Sequence, residues 1–191
     1  LRRVIKVNKG TLLYFECLPV ENAGYQYRAK QWAHYLNRKN WRVDVFTTCA
    51  DKQQFDYLTQ AHNIPVLVFK GIRTRYIQLL QSLKYEQVIV RRELLMYNDY
   101  GNLSFEKLLL KIHPNAILDI DDNMIASKRE PRKVTGLSGK LLMENGEKFT
   151  QTLSLYRHFI TGNPELEKLV LQHQPKANVT VIPTCVNYDE Y

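Results

Sequence analysis

The sequence predicts an α/β domain built on a doubly wound, mostly parallel sheet of about seven strands, Rossmann-like in outline. Three observations predict it. Short apolar runs alternate with helix-spaced apolar stripes along the whole chain, as a parallel sheet covered by helices requires. Several runs, LLYF at 12–15 and VLVF at 66–69 among them, are apolar at every position, which suits strands covered on both faces. With 191 residues, 45% hydrophobic and 24% charged, the chain can bury one well-formed core, so a single domain over 1–191 is the default.

The elements follow in order. The run 12–15 is a strand. Gly24 stands where a helix begins, and Ala29, Trp32, Ala33 and Leu36 recur at i, i+3, i+4 and i+7 on one helical face. Asn40 is a left-handed stop for that helix. RVDVFTT at 42–48 is a second strand, and Phe55, Leu58 and Thr59 mark a short helix that Asn63 and Pro65 break. VLVF is read as a third strand, and Tyr76, Leu79, Leu80 and Leu83 as the buried stripe of the next helix. VIV at 88–90 is the fourth strand. Ser104 reads as the N-cap of a helix carrying Phe105, Leu108, Leu109 and Ile112. AILDI at 116–120 is the fifth strand, and 126–146 reads as a long, mobile basic loop. Phe149, Leu153 and Tyr156 mark a resumed helix, and HFIT at 158–161 the sixth strand. Asn163 caps a helix with Pro164 at its first position and Glu165 in its first turn. NVTVIP at 178–183 is the seventh strand.

Ligands of such sheets bind at the carboxyl ends of the strands, at the topological switch point. That rule selects residues 19–24, 91–93, 121–122 and 162–163. The Gly24 loop is neither GxGxxG nor a P-loop, so it is either a structural turn or a helix start that points amides at a phosphate. Arg28, one turn on, either supplements that positive end or is an exposed helix charge. Arg91 and Arg92 clamp phosphate, pair with Asp121 and Asp122, or do both. Asp119, Asp121 and Asp122 crowd three carboxylates at one strand end and require a cation, a shared proton or donors. Their readings are a magnesium site, hydrogen bonds to sugar hydroxyls, or, for Asp119, a buried carboxylate satisfied by nearby amides. The cluster brushes the aspartate-phosphatase pattern but ends the fifth strand rather than the first and runs on as Asp-Asn-Met.

A net charge of +8 favours anionic partners or simply a solvated basic surface. Lys128, Arg129, Arg132, Lys133 and Lys140 against Glu130 place a net +4, half of that surplus, in residues 127–140. The segment is read as a contact for an anionic membrane surface or as a solvated loop. Nucleic acid is not expected, because the basic run lacks interleaved aromatics and no DNA-binding pattern appears. The five histidines show no ligand spacing and no serine lies in a nucleophile elbow, which argues against Ser–His and Cys–His enzymes. No apolar run approaches the roughly 18–20 residues that span a bilayer. Three scattered cysteines and no evident leader suggest a reducing, cytoplasmic chain, with membrane association on the cytoplasmic face allowed. Starting at Leu1, the chain is expected to be processed or excised from a longer one.

Three stretches resemble the N-terminal domain of GT-B glycosyltransferases, particularly the retaining family 4 type. They are AGYQYRAKQWAHYLNRKNWRVDVFT, then VIVRRELL with AILDIDDNM, and most specifically YRHFITGNPELEKLVLQHQPKANVTVIPTCVNYDEY. The chain departs from that pattern at Ala23–Gly24, where paired glycines are usual, and at Thr184–Cys185, where Asn-Gly is usual. The resemblance implies an enzyme that moves a sugar from a nucleotide-diphosphate sugar to a glycan, lipid-linked or protein acceptor. Configuration would be retained, with no metal and no cofactor beyond the donor. It implies Ala23, Gly24 and Arg28 as the donor-phosphate loop, Arg91, Arg92, Glu93, Gly162 and Asn163 along the acceptor cleft, and Asp121 and Asp122 as catalytic candidates. The nucleotide-binding second domain would be missing, so this chain alone would fold without catalysing. The alternative is a non-catalytic doubly wound module that binds a nucleotide or a partner.

Overall fold

The computed structural model describes residues 9–48, 51, 63–95, 103–124 and 146–185. Among them a six-stranded, all-parallel sheet carries the fold. In chain order its elements are β1 (Gly10–Glu16), a π-helical turn (Tyr25–Lys30) continuing into α1 (Gln31–Arg38), and β2 (Trp41–Thr47). Next come α2 (Ile64–Ser82), β3 (Gln87–Arg91), α3 (Ser104–Ile112) and β4 (Ile117–Ile120). The chain continues with α4 (Gly146–Leu155), β5 (His158–Thr161), α5 (Pro164–His173) and β6 (Asn178–Val181). The strand order is β2-β1-β3-β4-β5-β6, so the direction of winding reverses between β1 and β3.

Local chemistry explains several boundaries. Asn40 takes φ 68°, the left-handed conformation that stops α1, and its carbonyl accepts the Lys9 amide at 2.8 Å. At α5 the Asn163 side chain accepts the Leu166 amide at 2.9 Å, with Pro164 and Glu165 in the first turn. Leu13, Phe15, Val88, Val90, Leu118, Ile120 and Phe159 are buried on one sheet face beneath α2 to α5. Leu12, Tyr14 and Ile89 are buried on the other, against Ala29 and the partly buried Ala33 and Leu36 of the first helix.

Three expectations are corrected. The sheet has six strands among the described residues, not seven. The missing one is VLVF at 66–69, which lies inside α2. Pro65 occupies the first turn of this helix, where its absent N–H costs nothing. A short apolar run cannot distinguish strand from helix by periodicity, and here the run follows a proline that sits in the first turn of a helix. The buried stripe of α2 is also different. Leu79 is buried, but Tyr76, Leu80 and Leu83 are exposed, and the inward face carries Arg75, Gln78 and Ser82 instead. Ser104 is the first helical residue of α3, and the capping position belongs to Leu103 in a left-handed conformation. The short helix expected near 55–59 lies outside the described residues. So does the basic segment, apart from Gly146, which opens α4.

The inward polar face of α2 has a clear function in the fold. Arg75 donates to the Leu94 carbonyl at 2.8 Å, to Gln78 at 2.8 Å and to the Glu16 carbonyl at 2.9 Å. Its guanidinium lies 4.8 Å from the centre of the Phe15 ring. Gln78 donates to the Thr47 carbonyl at 2.7 Å. One helix thus satisfies carbonyls at the ends of β1 and β2 and just beyond β3, positions where parallel ladders run out of donors.

Candidate functional site

The crevice at the β1/β3 reversal gathers the charged side chains of four segments. Glu16 ends β1, Arg91 ends β3, Asp119 lies in β4 with Asp121 just beyond it, and Arg28 comes from the π-helical turn. A π-helical turn widens the helix and is a recurrent feature of functional sites. Here it buries Arg28 and Ala29 side by side against the sheet.

Arg91 bridges two carboxylates. Its Nη1 donates to Glu16 at 2.8 Å and its Nη2 to Asp121 at 2.6 Å. Arg92 completes the clamp, donating from Nε to the other oxygen of Asp121 at 2.7 Å, while Asp122 lies 3.7 Å from its Nη2. Asp122 itself is exposed. Of the two readings of the arginine pair, the ion pair with Asp121 is present. Arg92 adopts φ 60°, uncommon for a residue with a side chain, and its amide donates to the Asp119 carbonyl at 2.9 Å. The strained backbone lets successive arginines grip one carboxylate from two directions.

Burial alone would push the Asp121 carboxyl up, but Arg91 and Arg92 outweigh it and hold its pKa below the usual range. Since the folded-state value is the lower one, this pairing stabilises the fold at pH above the ordinary carboxylate range. The contribution is lost as acid protonates the group. Arg91 is also desolvated, yet Glu16 and Asp121 raise its pKa, so it stays charged.

Asp119 is the hub of a second cluster. It is buried, accepts a hydrogen bond from the Tyr14 hydroxyl, and is gripped by Arg28 through Nε at 3.0 Å and Nη2 at 2.6 Å. Side-chain donors, rather than neighbouring amides, satisfy it. Arg28 then reaches past Asp119 to the Ile182 carbonyl at 2.8 Å and the Thr184 hydroxyl at 3.1 Å. It is one of the most buried side chains in the molecule, not an exposed helix charge.

Gly24 belongs to this arrangement for a steric reason. A Cβ there would lie 2.1 Å from Nη2 of Arg91, which its two carboxylates hold in place. The Gly24 amide is already used, donating to the Asn22 side chain at 2.8 Å in a local turn. Gly24→Ala is therefore expected to displace Arg91 and cost about 1–3 kcal/mol, as overpacked sites do. Chemical denaturation measures it. An unchanged midpoint would mean the guanidinium has another place to go.

Glu93 and Gly162 flank the crevice. Lys148 of α4 donates to Glu93 at 2.8 Å and to the Leu95 carbonyl at 2.6 Å. Gly162 packs beside the β4 turn: a Cβ there would lie 3.4 Å from the Asp121 Cα, and its amide donates to the Ile120 carbonyl at 2.9 Å. Asn163 is occupied as a helix cap. Of the residues selected from the sequence, Arg28, Arg91, Arg92 and Asp121 converge, with Gly24 packed against them. Ala23 and Gly24 begin the helix that carries Arg28. Asp122 and Asn163 lie at the rim.

Sequence reasoning missed Tyr14, Glu16 and Glu106. The alternation of Tyr14 and Glu16 in an otherwise apolar strand was the available signal, since both project to the face that Asp119 shares. Glu106 is buried beneath the loop after β3 and accepts the Leu94 amide at 3.1 Å. Burial raises its pKa, against the pull of Lys148 and the Leu94 amide. A raised folded-state pKa means its stabilising contribution is complete below the ordinary glutamate value and declines as pH rises through the folded-state value. Glu106→Gln, which keeps the acceptor and cannot ionise, should gain stability relative to wild type from mildly acidic to neutral pH. Thermal melts across that range measure the trend, and parallel profiles would contradict it.

Among the described residues, no group of three or more His, Cys, Asp or Glu side chains is arranged to hold a metal ion. No described helix is long and apolar enough to cross a membrane. A scan against protein-family models matches none, and a search of the curated proteins finds no match.

Proposed function

We propose that this chain is the N-terminal, acceptor-side domain of a retaining GT-B glycosyltransferase, acting on a nucleotide-diphosphate sugar and a glycan, lipid-linked or protein acceptor. The observation that carries the reading is the convergence on Arg28. It bonds Asp119 in the AILDIDDN stretch and Ile182 and Thr184 in the VIPTC stretch. The three stretches that resemble this family therefore meet at one residue, at the carboxyl edge of the sheet where such folds bind ligands. In this reading Arg28 fixes the geometry between the first helix and the segment leading towards a second, nucleotide-binding domain. Asp121, ionised and held by two arginines, faces the acceptor side. The Gly24 loop contributes to donor-phosphate binding through its position rather than through the Gly24 amide.

The test is sugar transfer from a panel of nucleotide-diphosphate hexoses, comparing residues 1–191 with the polypeptide extended to its natural end. Product anomers are read by NMR. Transfer with retention by the extended chain only, reduced at least tenfold by Asp121→Asn, supports the proposal. Robust transfer by residues 1–191, or an inverted product, overturns it.

One observation favours a second reading, a non-catalytic module for a nucleotide or partner. Arg28, Arg91 and Arg92 all spend their charge on internal carboxylates. An extended chain that binds nucleotide but transfers nothing would select that reading.

A further inference from the structure

The helix α2 is inside out. Beside the buried Leu79 its inward face is polar, with Arg75 and Gln78 bonded to strand-end carbonyls, while its outward side carries an apolar stripe. Val66, Phe69, Tyr76, Leu80 and Leu83 stand on that outward face between 48% and 67% exposed, and Arg73 lies among them. Their spacing is 3-4-3-4-3, the a/d seam of a helix that packs lengthwise on another helix.

We propose that this face docks on the same face of a second copy of the chain, with the two α2 helices antiparallel. The seam is symmetric about the midpoint between Arg73 and Tyr76. Running the second helix in the opposite direction sets Val66 against Leu83, Phe69 against Leu80 and Arg73 against Tyr76, each twice. A self-complementary patch of this kind is what a two-fold, isologous interface requires. Each Arg73 guanidinium then meets the ring of Tyr76 of the second copy, a cation–π contact. The seam runs nearly the whole 19-residue helix, about 28 Å. Its half-exposed side chains, with Ile77 beside them, offer about 600 Å² per copy, so a pair removes ~1,200 Å², the lower end for a stable interface.

Charge decides between this occupant and a bilayer. The α2 sequence contains Lys70, Arg73 and Arg75 and no acidic residue, which an anionic membrane would also accept. Arg73, however, lies near the midline of the apolar stripe. On a membrane it would be driven deepest, where a guanidinium is least tolerated. In the antiparallel pair the same position has an aromatic partner.

Sedimentation velocity of the full 191-residue chain, from low micromolar to ~100 μM, tests the proposal. A concentration-dependent dimer is expected. Phe69→Glu and Leu80→Glu should each give a monomer at every concentration with unchanged far-UV circular dichroism. An independent arm reads the register without introducing charge. In a background with Cys49 and Cys185 changed to serine, Phe69→Cys with Leu80→Cys should oxidise to a covalent dimer, whereas Phe69→Cys alone should not. A monomer throughout, a dimer indifferent to both glutamates, or cross-linking by Phe69→Cys alone overturns the proposal. So does a monomer that co-sediments with phosphatidylserine-containing vesicles and loses that binding with the same glutamates, which assigns the face to membrane instead.

Discussion

Arg91→Met is expected to destabilise the protein by about 3–5 kcal/mol, the range for removing one partner of a buried ion pair. For a chain of this size that lowers the melting temperature by roughly 10 °C. The two carboxylates it bridges do not suffer equally. Asp121 keeps Arg92 at 2.7 Å. Among the described residues Glu16 keeps hydrogen bonds from the Cys17 and Leu18 amides alone, at 2.9 and 3.0 Å, and is fully buried. The cost therefore comes mainly from Glu16, which loses its ion-pair partner while buried. Adding Glu16→Gln to Arg91→Met removes that charge while keeping an acceptor for both amides, and should restore at least half of the loss. Urea denaturation of the two single variants and the double variant measures the coupling. Simple additivity would show that the bridge contributes packing but no charge pairing.

Arg28→Met should have a comparable effect with a different signature. Asp119 would retain Tyr14 and lose its only ion-pair partner among the described residues. A loss of about 3–5 kcal/mol is again expected. Arg28 also anchors the chain beyond β6 through Ile182 and Thr184, so the variant should become sensitive to proteolysis just after Val181. Pairing Arg28→Met with Asp119→Leu tests the cause. An apolar pair of similar volume, with Tyr14→Phe added to remove the hydroxyl that would lose its acceptor, should recover most of the stability, because neither a charge nor an unpaired donor is left buried. It should not recover protease resistance, because the contact with Ile182 and Thr184 is still gone. Recovery of both would mean that packing, not the guanidinium, holds that segment.

The parts of the fold that could be read from the sequence were those with a local cause. Asn40 and the Asn163–Pro164–Glu165 start are signals whose chemistry is complete within a few residues, and both boundaries fall where expected. The parallel strands at 42–48, 88–90, 116–120 and 158–161 were also legible, as short apolar or alternating runs set between helix-spaced stripes. The α2 region was not. Helix prediction assumes the apolar side turns inward, and α2 reverses this since its inner side must supply donors to strand ends distant in sequence. Nothing local announces that need. For the site, the strand-end rule selected Arg91, Arg92 and Asp121 and anticipated their pairing. It did not show that Gly24 makes room for Arg91, nor that Glu16 is the other half of the bridge. Those facts depend on which side chains meet across the reversal between β1 and β3, and single-residue patterns do not carry that information.

Arg28 meets Asp119 and Ile182 across 91 and 154 residues of chain. Contacts of such separation form only after the intervening chain has ordered, and their closure entropy is met last. During synthesis the first helix leaves the ribosome long before either partner exists. Arg28 can pair with Asp119 once β4 is in place, but its bonds to Ile182 and Thr184 wait for the chain beyond β6. The last few described residues thus complete the anchorage of the first helix: a chain ending before residue 182 lacks both of those acceptors and would hold Arg28 through Asp119 alone.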